Sequence, residues 1–450
     1  MKKRTVLYIC HNHPSVRPGG AEAYALELHH AMRGSETFRP VFLAKGGPPV
    51  GTVGQQHPGT YFAPVDADDD EYFFYTDGYD FDFFQGTTAG KDFYTKHFRA
   101  FLEAYRPDVV HFQHTLFLGY DMIREVRNTL PDAAILYTLH ELLPICNRNG
   151  QMVRTVNDDE LCTHESPRRC HECFRDITPQ SFFLRKRFVQ SHLALVDQFI
   201  APSHFLLERY VAWGIPRERI RFEEYGRLPV DEVAPVDDRP VRNRIGFFGQ
   251  LSAFKGIDVL LEAMLLIGRD RDGAAPDRRR PFASALAEGK GVAGVQPHLA
   301  VHGANLDLQH GHFQERFHEL LRATASDVTF LGQYDHRQLP ALMRHIDWVV
   351  VPSIWWENSP LVIQEAFAHG RPVICSDIGG MAEKVEDGVT GLHFRARSPR
   401  SLADAIQTAV TTDGLWERLR DAIHPVYEME RHAKEITVLY EELLASRQPR

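Results

Sequence analysis

The chain has 450 residues, 43% of them hydrophobic and 25% charged, with a formal net charge of −9. That length exceeds a single hydrophobic core, so two domains are expected, and the balance is that of a soluble globular protein. The negative charge argues against nucleic acid as a partner, and no apolar run approaches a membrane span.

The N-terminus is basic (Met1-Lys2-Lys3-Arg4), but the apolar stretch after it is short and meets Cys10-His11-Asn12-His13. It is expected to be a first strand and not a signal peptide, which implies a cytoplasmic protein with reduced thiols. Candidate strands then follow at Thr5–Cys10, Pro40–Ala44, Val109–Gln113, Ala134–Leu139, Gln198–Ala201 and Ile220–Glu223. After the first, Pro18-Gly19-Gly20 turns into a helix with Ala21, Tyr24, Ala25, Leu28 and Met32 on one face. A second series runs Arg244–Phe248, His298–Val301, Asp327–Phe330, Trp348–Val351 and Pro372–Ser376. Alternating strands and helices predict an α/β fold of two doubly wound, Rossmann-like domains facing across a cleft. Residues 1–227 form the first domain and 228–423 the second, with Leu228–Arg242 as linker. A C-terminal helix (about His424–Leu444, within 424–450) is expected to cross back and complete the first domain. Three segments interrupt the scheme: aromatic-rich Asp66–Phe98, Cys146–Cys173 with four of the six cysteines, and polar Arg269–Gln296.

The richest stretch is Val351-Pro-Ser-Ile-Trp-Trp-Glu357-Asn358-Ser359-Pro360-Leu361-Val362-Ile-Gln-Glu365. Ser359 is expected to cap a helix, with Pro360 as its first residue. The amides of Leu361 and Val362 would then make an anion site at the positive end of the helix dipole, suited to a diphosphate. Glu365, one turn inside, could accept both hydroxyls of a ribose. Gly246-Phe-Phe-Gly249-Gln250 leads into a loop carrying Lys255-Gly256, whose ammonium could follow a phosphate gaining charge. Gly19 and Gly20, before the first helix, offer a second close backbone approach to an anion.

These motifs, with Phe330-Leu-Gly332, Glu365-Ala366-Phe-Ala-His-Gly370-Arg-Pro-Val, Asp377-Ile-Gly379-Gly380 and Asp387-Gly388-Val-Thr-Gly391, resemble the E-x7-E signature region of retaining GT-B glycosyltransferases. The match is to family four, the glycosyl transferases group 1, and covers nearly the whole second domain. The resemblance implies a GT-B architecture and hexose transfer with retention from a nucleoside diphosphate sugar, UDP- or GDP-linked, to a glycan or lipid-linked acceptor. Cell-surface polysaccharide or related glycan synthesis is the implied setting. No cofactor is required for transfer when Lys255 and helix dipoles hold the phosphate. The implied donor site comprises Gly19, Gly20, Gln250, Lys255, Glu357, Asn358, Ser359, Leu361, Val362 and Glu365. Gln250 stands where the family usually has an arginine, leaving more of the leaving-group charge to Lys255. Glu357 would contact the sugar's 3- and 4-hydroxyls or the phosphate, and Asn358 would shape its loop. His140, at the end of a predicted strand, matches the family's histidine beside the reacting centre, with His111 and His114 as rivals. Two other readings remain open: a nucleotide-sugar epimerase on the same fold, and a noncatalytic nucleotide-binding subunit of a glycan-assembly complex.

Cys146, Cys162, Cys170 and Cys173 follow a C-x15-C-x7-C-x2-C spacing. They suggest a structural zinc more than an iron–sulfur cluster, with His164 or His171 able to replace a thiolate. The aromatic segment is expected to pack in the core or, less simply, to stack on acceptor sugars. Phe182-Phe-Leu-Arg-Lys-Arg-Phe188 reads as a helix with its basic face in solvent, or as a peripheral contact with the inner face of the plasma membrane.

Overall fold

A computed structural model describes residues 3–16, 19–47, 61–65, 70–76, 80–156, 160–230, 232–271 and 294–447. Pro18, Tyr79 and most of the polar segment Arg269–Gln296 lie outside the described residues. The chain divides into two compact units, Met1–Pro229 with Tyr427–Arg450, and Val230–Val426.

The first unit is built on β1 (Arg4–Cys10), β2 (Phe38–Gly46), β3 (Phe62–Pro64), β4 (Glu71–Tyr75), β7 (Val109–Phe112), β8 (Ala134–Thr138), β9 (Gln198–Ala201) and β10 (Ile220–Phe222). A two-stranded hairpin, β5 (Phe81–Asp82) and β6 (Thr87–Thr88), stands apart. The sheet order is β10-β9-β8-β7-β1-β2-β4-β3, parallel except where β3 meets β4. Val6 to Cys10 are fully buried, as a strand covered on both faces requires. The aromatic segment contributes β4 to this sheet, where Phe62 stacks on Phe74 at 4.5 Å, and Phe74 on Phe93 at 4.2 Å. Phe74, Phe81, Tyr94 and Phe98 are buried and fill core, whereas Phe83 is exposed.

Helix Met429–Arg447 belongs to this first unit. Tyr440 donates to the Tyr8 hydroxyl (3.0 Å) and pairs with His111 Nδ1 (2.7 Å), while His432 Nε2 meets the Tyr24 hydroxyl at 2.7 Å. These buried polar bonds fix the helix against β1 and the helix Gly20–Met32.

The second unit contains β11 (Arg244–Gln250), β12 (His298–Ala304), β13 (Val328–Gly332), β14 (Trp348–Val351), β15 (Val373–Ser376) and β16 (Gly391–Phe394). All are parallel, in the order β13-β12-β11-β14-β15-β16. The order reverses between β11 and β14, the switch point where such sheets bind ligands. The expected linker is packed against this unit. Ala234 is buried, its amide donates to His369 Nδ1 (3.0 Å), and Arg239 pairs with Asp347 at 2.9 Å. Arg371, 1% exposed, donates to the carbonyls of Ile346 (2.7 Å), Met343 (2.9 Å) and Pro235 (3.1 Å). Burial lowers its pKa to about 10, yet it stays charged at neutral pH and satisfies these carbonyls.

Candidate functional site

Two loops at the switch point of the second unit meet through charge. Lys255 follows β11 and Glu357 follows β14, and their Nζ and Oε1 atoms are 2.6 Å apart. Ser353 Oγ (2.7 Å) and Trp355 Nε1 (2.9 Å) donate to the same carboxylate oxygen. Burial alone would raise the Glu357 pKa, but the Lys255 ammonium and these donors outweigh it and hold the carboxyl below its ordinary value. Lys255 keeps 30% of its side chain exposed while its ammonium stands 5.8 Å from the Trp355 ring. The lysine is thus aimed by Glu357 but still reachable. Gly256 makes the approach possible: at φ +66° it lies where a Cβ would meet the Pro352 carbonyl oxygen at 2.0 Å. Gln250 ends β11 and is exposed.

The helix after Glu357 spans Leu361–Ala368. Ser359 is not its cap and Pro360 is not its first turn. Pro360 adopts ψ 116°, an extended value, and therefore takes the cap position itself, without a side-chain capping bond. Leu361 and Val362 supply the opening amides, and the Ile363 amide bonds to Pro360 O at 3.1 Å. The 357–358 loop rests on the next helix, Gly379–Lys384, through the Gly380 amide, which donates to Glu357 O at 2.7 Å. A Cβ on Gly380 would fall 1.4 Å from Asn358 O, so only glycine fits. Glu365, half-buried, is met by His336 Nε2 at 3.0 Å. Ser353 and Trp355 were within reach of sequence reasoning, because they lie in the same motif. His336 carried no local signal.

In the first unit the ends of β1, β7 and β8 gather a second polar group. His140 contacts the Tyr225 hydroxyl through Nδ1 (2.5 Å) and Gln113 Oε1 through Nε2 (3.0 Å). Burial, then the neighbouring imidazoles of His114, His11 and His111, push its pKa well below the ordinary histidine value, so it is neutral. His114 accepts from the Leu116 amide at Nδ1 (3.0 Å) and turns Nε2 to Glu141 (3.2 Å). His111 lies behind, bound to Tyr440 and Thr138. The His11 ring lies tilted against that of His114, centroids 4.1 Å apart, and meets Glu22 at 3.1 Å. Gly19 caps the helix Gly20–Met32, and a Cβ on it would lie 2.4 Å from Glu22 Oε2. The anion beside that helix start is the chain's own carboxylate.

The four clustered cysteines are half-buried and free of disulfides. Burial first, then Glu165, Cys146 and Cys162, push the Cys170 thiol up to about 12. Among the described residues, the group of three possible ligands within 4.8 Å of one another is instead His29, His30 and Glu71. There Arg33 already lies 2.6 Å from Glu71, neutralising it. On the helix Pro179–Leu193, Arg185 is buried and donates to Phe84 O (2.6 Å), Pro144 O and Leu143 O (both 2.9 Å). The expected basic face is therefore only partly in solvent. Among the described residues, no helix is long and apolar enough to cross a membrane.

Residues 18–222 match the family model for Glycosyltransferase Family 4, and residues 242–412 match that for Glycosyl transferases group 1. Each half is thus similar to a glycosyltransferase family model. A D-inositol 3-phosphate glycosyltransferase of Corynebacterium aurimucosum is 32% identical over 172 residues, 38% of this chain and 35% of that protein. A glycogen synthase of Mycobacterium tuberculosis is 40% identical over 97 residues, 22% of each chain. The chain thus spans about a third or less of the length of these curated relatives. Among solved structures, sucrose-phosphate synthase of Thermosynechococcus elongatus superposes with a TM-score of 0.67 at 19% identity, covering 98% of this chain and 100% of that one. HepE of Anabaena in complex with UDP and glucose gives 0.62 at 15%, with the same coverage. These likenesses establish the fold, two Rossmann-like domains of the GT-B type.

Proposed function

We propose that the protein transfers a hexose from a UDP- or GDP-sugar to a glycan or lipid-linked acceptor, with retention of configuration, in cell-surface polysaccharide or related glycan synthesis. The observation that carries this reading is the Lys255–Glu357 pair at the switch point, beside the start of helix Leu361–Ala368. A pyrophosphate seated there meets the Lys255 ammonium and the amides of Leu361 and Val362, which together offset the charge that develops on the leaving group. Glu365, one turn along, is positioned to accept a ribose hydroxyl pair, for which His336 must yield. His140 enters as a neutral imidazole whose ring is fixed by Tyr225 and Gln113 and which orients the donor sugar without carrying charge. The names of the relatives, each a glycosyl-transferring or glycan-synthesising enzyme, support the class of reaction.

The test is a calorimetric screen of UDP-, GDP- and ADP-sugars followed by turnover with the tightest donor. Transfer that depends on added acceptor is expected. Release of nucleotide without an acceptor would favour an epimerase, and binding without any turnover would overturn the enzymatic reading.

A further inference from the structure

From Thr155 to Ser181 no described residue is buried, and the helix Pro167–Cys173 buries none of its side chains. A hydrophobic core therefore does not hold this piece of chain. Polar bonds bring its parts together. Arg148 donates to the carbonyls of Val153 (3.0 Å) and Arg154 (3.1 Å), the Thr155 hydroxyl donates to Cys173 O (2.7 Å), and Arg154 pairs with Glu172. The parts joined are a turn, a hairpin and a helix, and each carries cysteine. The Cys146 amide closes the turn on Leu142 O at 2.8 Å. The Cys162 amide closes the hairpin on Met152 O at 2.7 Å, beside the Val153–Leu161 bridge. Cys170 and Cys173 stand three residues apart on one helix face.

We propose that Cys146, Cys162, Cys170 and Cys173 bind one zinc ion that staples this insertion to the first unit. Four soft sulfur donors on three elements can supply a closed tetrahedral site, but no three of these sulfurs lie within 4.8 Å of one another, so the metal must draw them together. His171 is a poorer ligand because its Nδ1 is engaged by Ile177 O at 2.8 Å. Ligation releases one proton from each thiol and involves no redox change. The resulting negative charge lies near Arg209, whose guanidinium donates to Thr163 O next to Cys162. Metal binding and convergence of the sulfurs are one event, as in small domains held by zinc. The base of the insertion touches the other polar group of this unit, since a Cβ on Gly150 would lie 2.2 Å from Glu141 Oε2. The proposal stands independently of the transfer reaction.

The test uses the purified full-length protein. Elemental analysis should give about one equivalent of zinc, with the clustered thiols unreactive toward Ellman's reagent until a chelator is added. Cobalt(II) exchange should add a thiolate-to-metal charge-transfer band, absent in Cys170→Ser/Cys173→Ser. If that variant fails to fold, the wild-type zinc content and cobalt spectrum still decide. Less than about half an equivalent with freely reactive thiols, or disulfides among these cysteines by mass spectrometry, would overturn the proposal.

Discussion

Lys255 Nζ lies 2.6 Å from Glu357 Oε1, and the two residues follow β11 and β14, the strands between which the order of the second sheet reverses. Glu357 both holds the ammonium and fixes its own loop through Ser353 and Trp355. A carboxylate so buried is stable only while its cation and donors remain.

Glu357→Gln keeps the shape and removes the charge. The folded-state pKa of Glu357 is depressed, so its contribution is present above the unfolded value near 4.3 and is lost as pH falls through the folded value. At neutral pH the variant should be less stable than the wild type by about 2 kcal/mol. Urea unfolding at neutral and acidic pH should show that gap closing below about pH 4. A gap independent of pH would mean that the charge is not what stabilises the loop.

Gly380→Ala places a methyl group 1.4 Å from Asn358 O. The loop must move or the helix Gly379–Lys384 must shift, at a cost of about 3 kcal/mol or more. Thermal unfolding should show the loss, and nucleotide binding should fall with it. Unchanged stability and binding would remove this contact from the account.

His140→Ala should leave donor affinity within about twofold and lower turnover by at least about tenfold. Because the His140 pKa is depressed, its imidazole is already neutral at and above pH 6.5, and no activity limb from its titration should appear there. Tyr225→Phe should reproduce part of the effect by freeing one side of the ring. Normal turnover in His140→Ala would dismiss it from the site.

Much of the fold is legible in the sequence. The apolar runs at Gln198–Ala201 and Trp348–Val351 became strands with those bounds, because a buried parallel strand leaves a continuous hydrophobic signature. β4 was hidden because its Phe and Tyr residues sit in an aromatic stretch without period-two polarity, and β3 and β16 because they are short. Ser359-Pro360 misled at the helix start because serine followed by proline fits a cap and first turn equally well in sequence, and only ψ at Pro360 distinguishes them. The partners that orient His140, Gln113 and Tyr225, come from distant segments. No local pattern announces such contacts.

The central claim is that Lys255 and the helix start at Leu361 hold a pyrophosphate. The most direct measurement compares calorimetric affinities of wild type and Lys255→Ala for whichever of UDP or GDP binds, and for the corresponding nucleoside. The account predicts that the variant loses at least about tenfold for the diphosphate, about 1.4 kcal/mol, and nothing for the nucleoside. An equal loss for both ligands, or no loss for either, would contradict it.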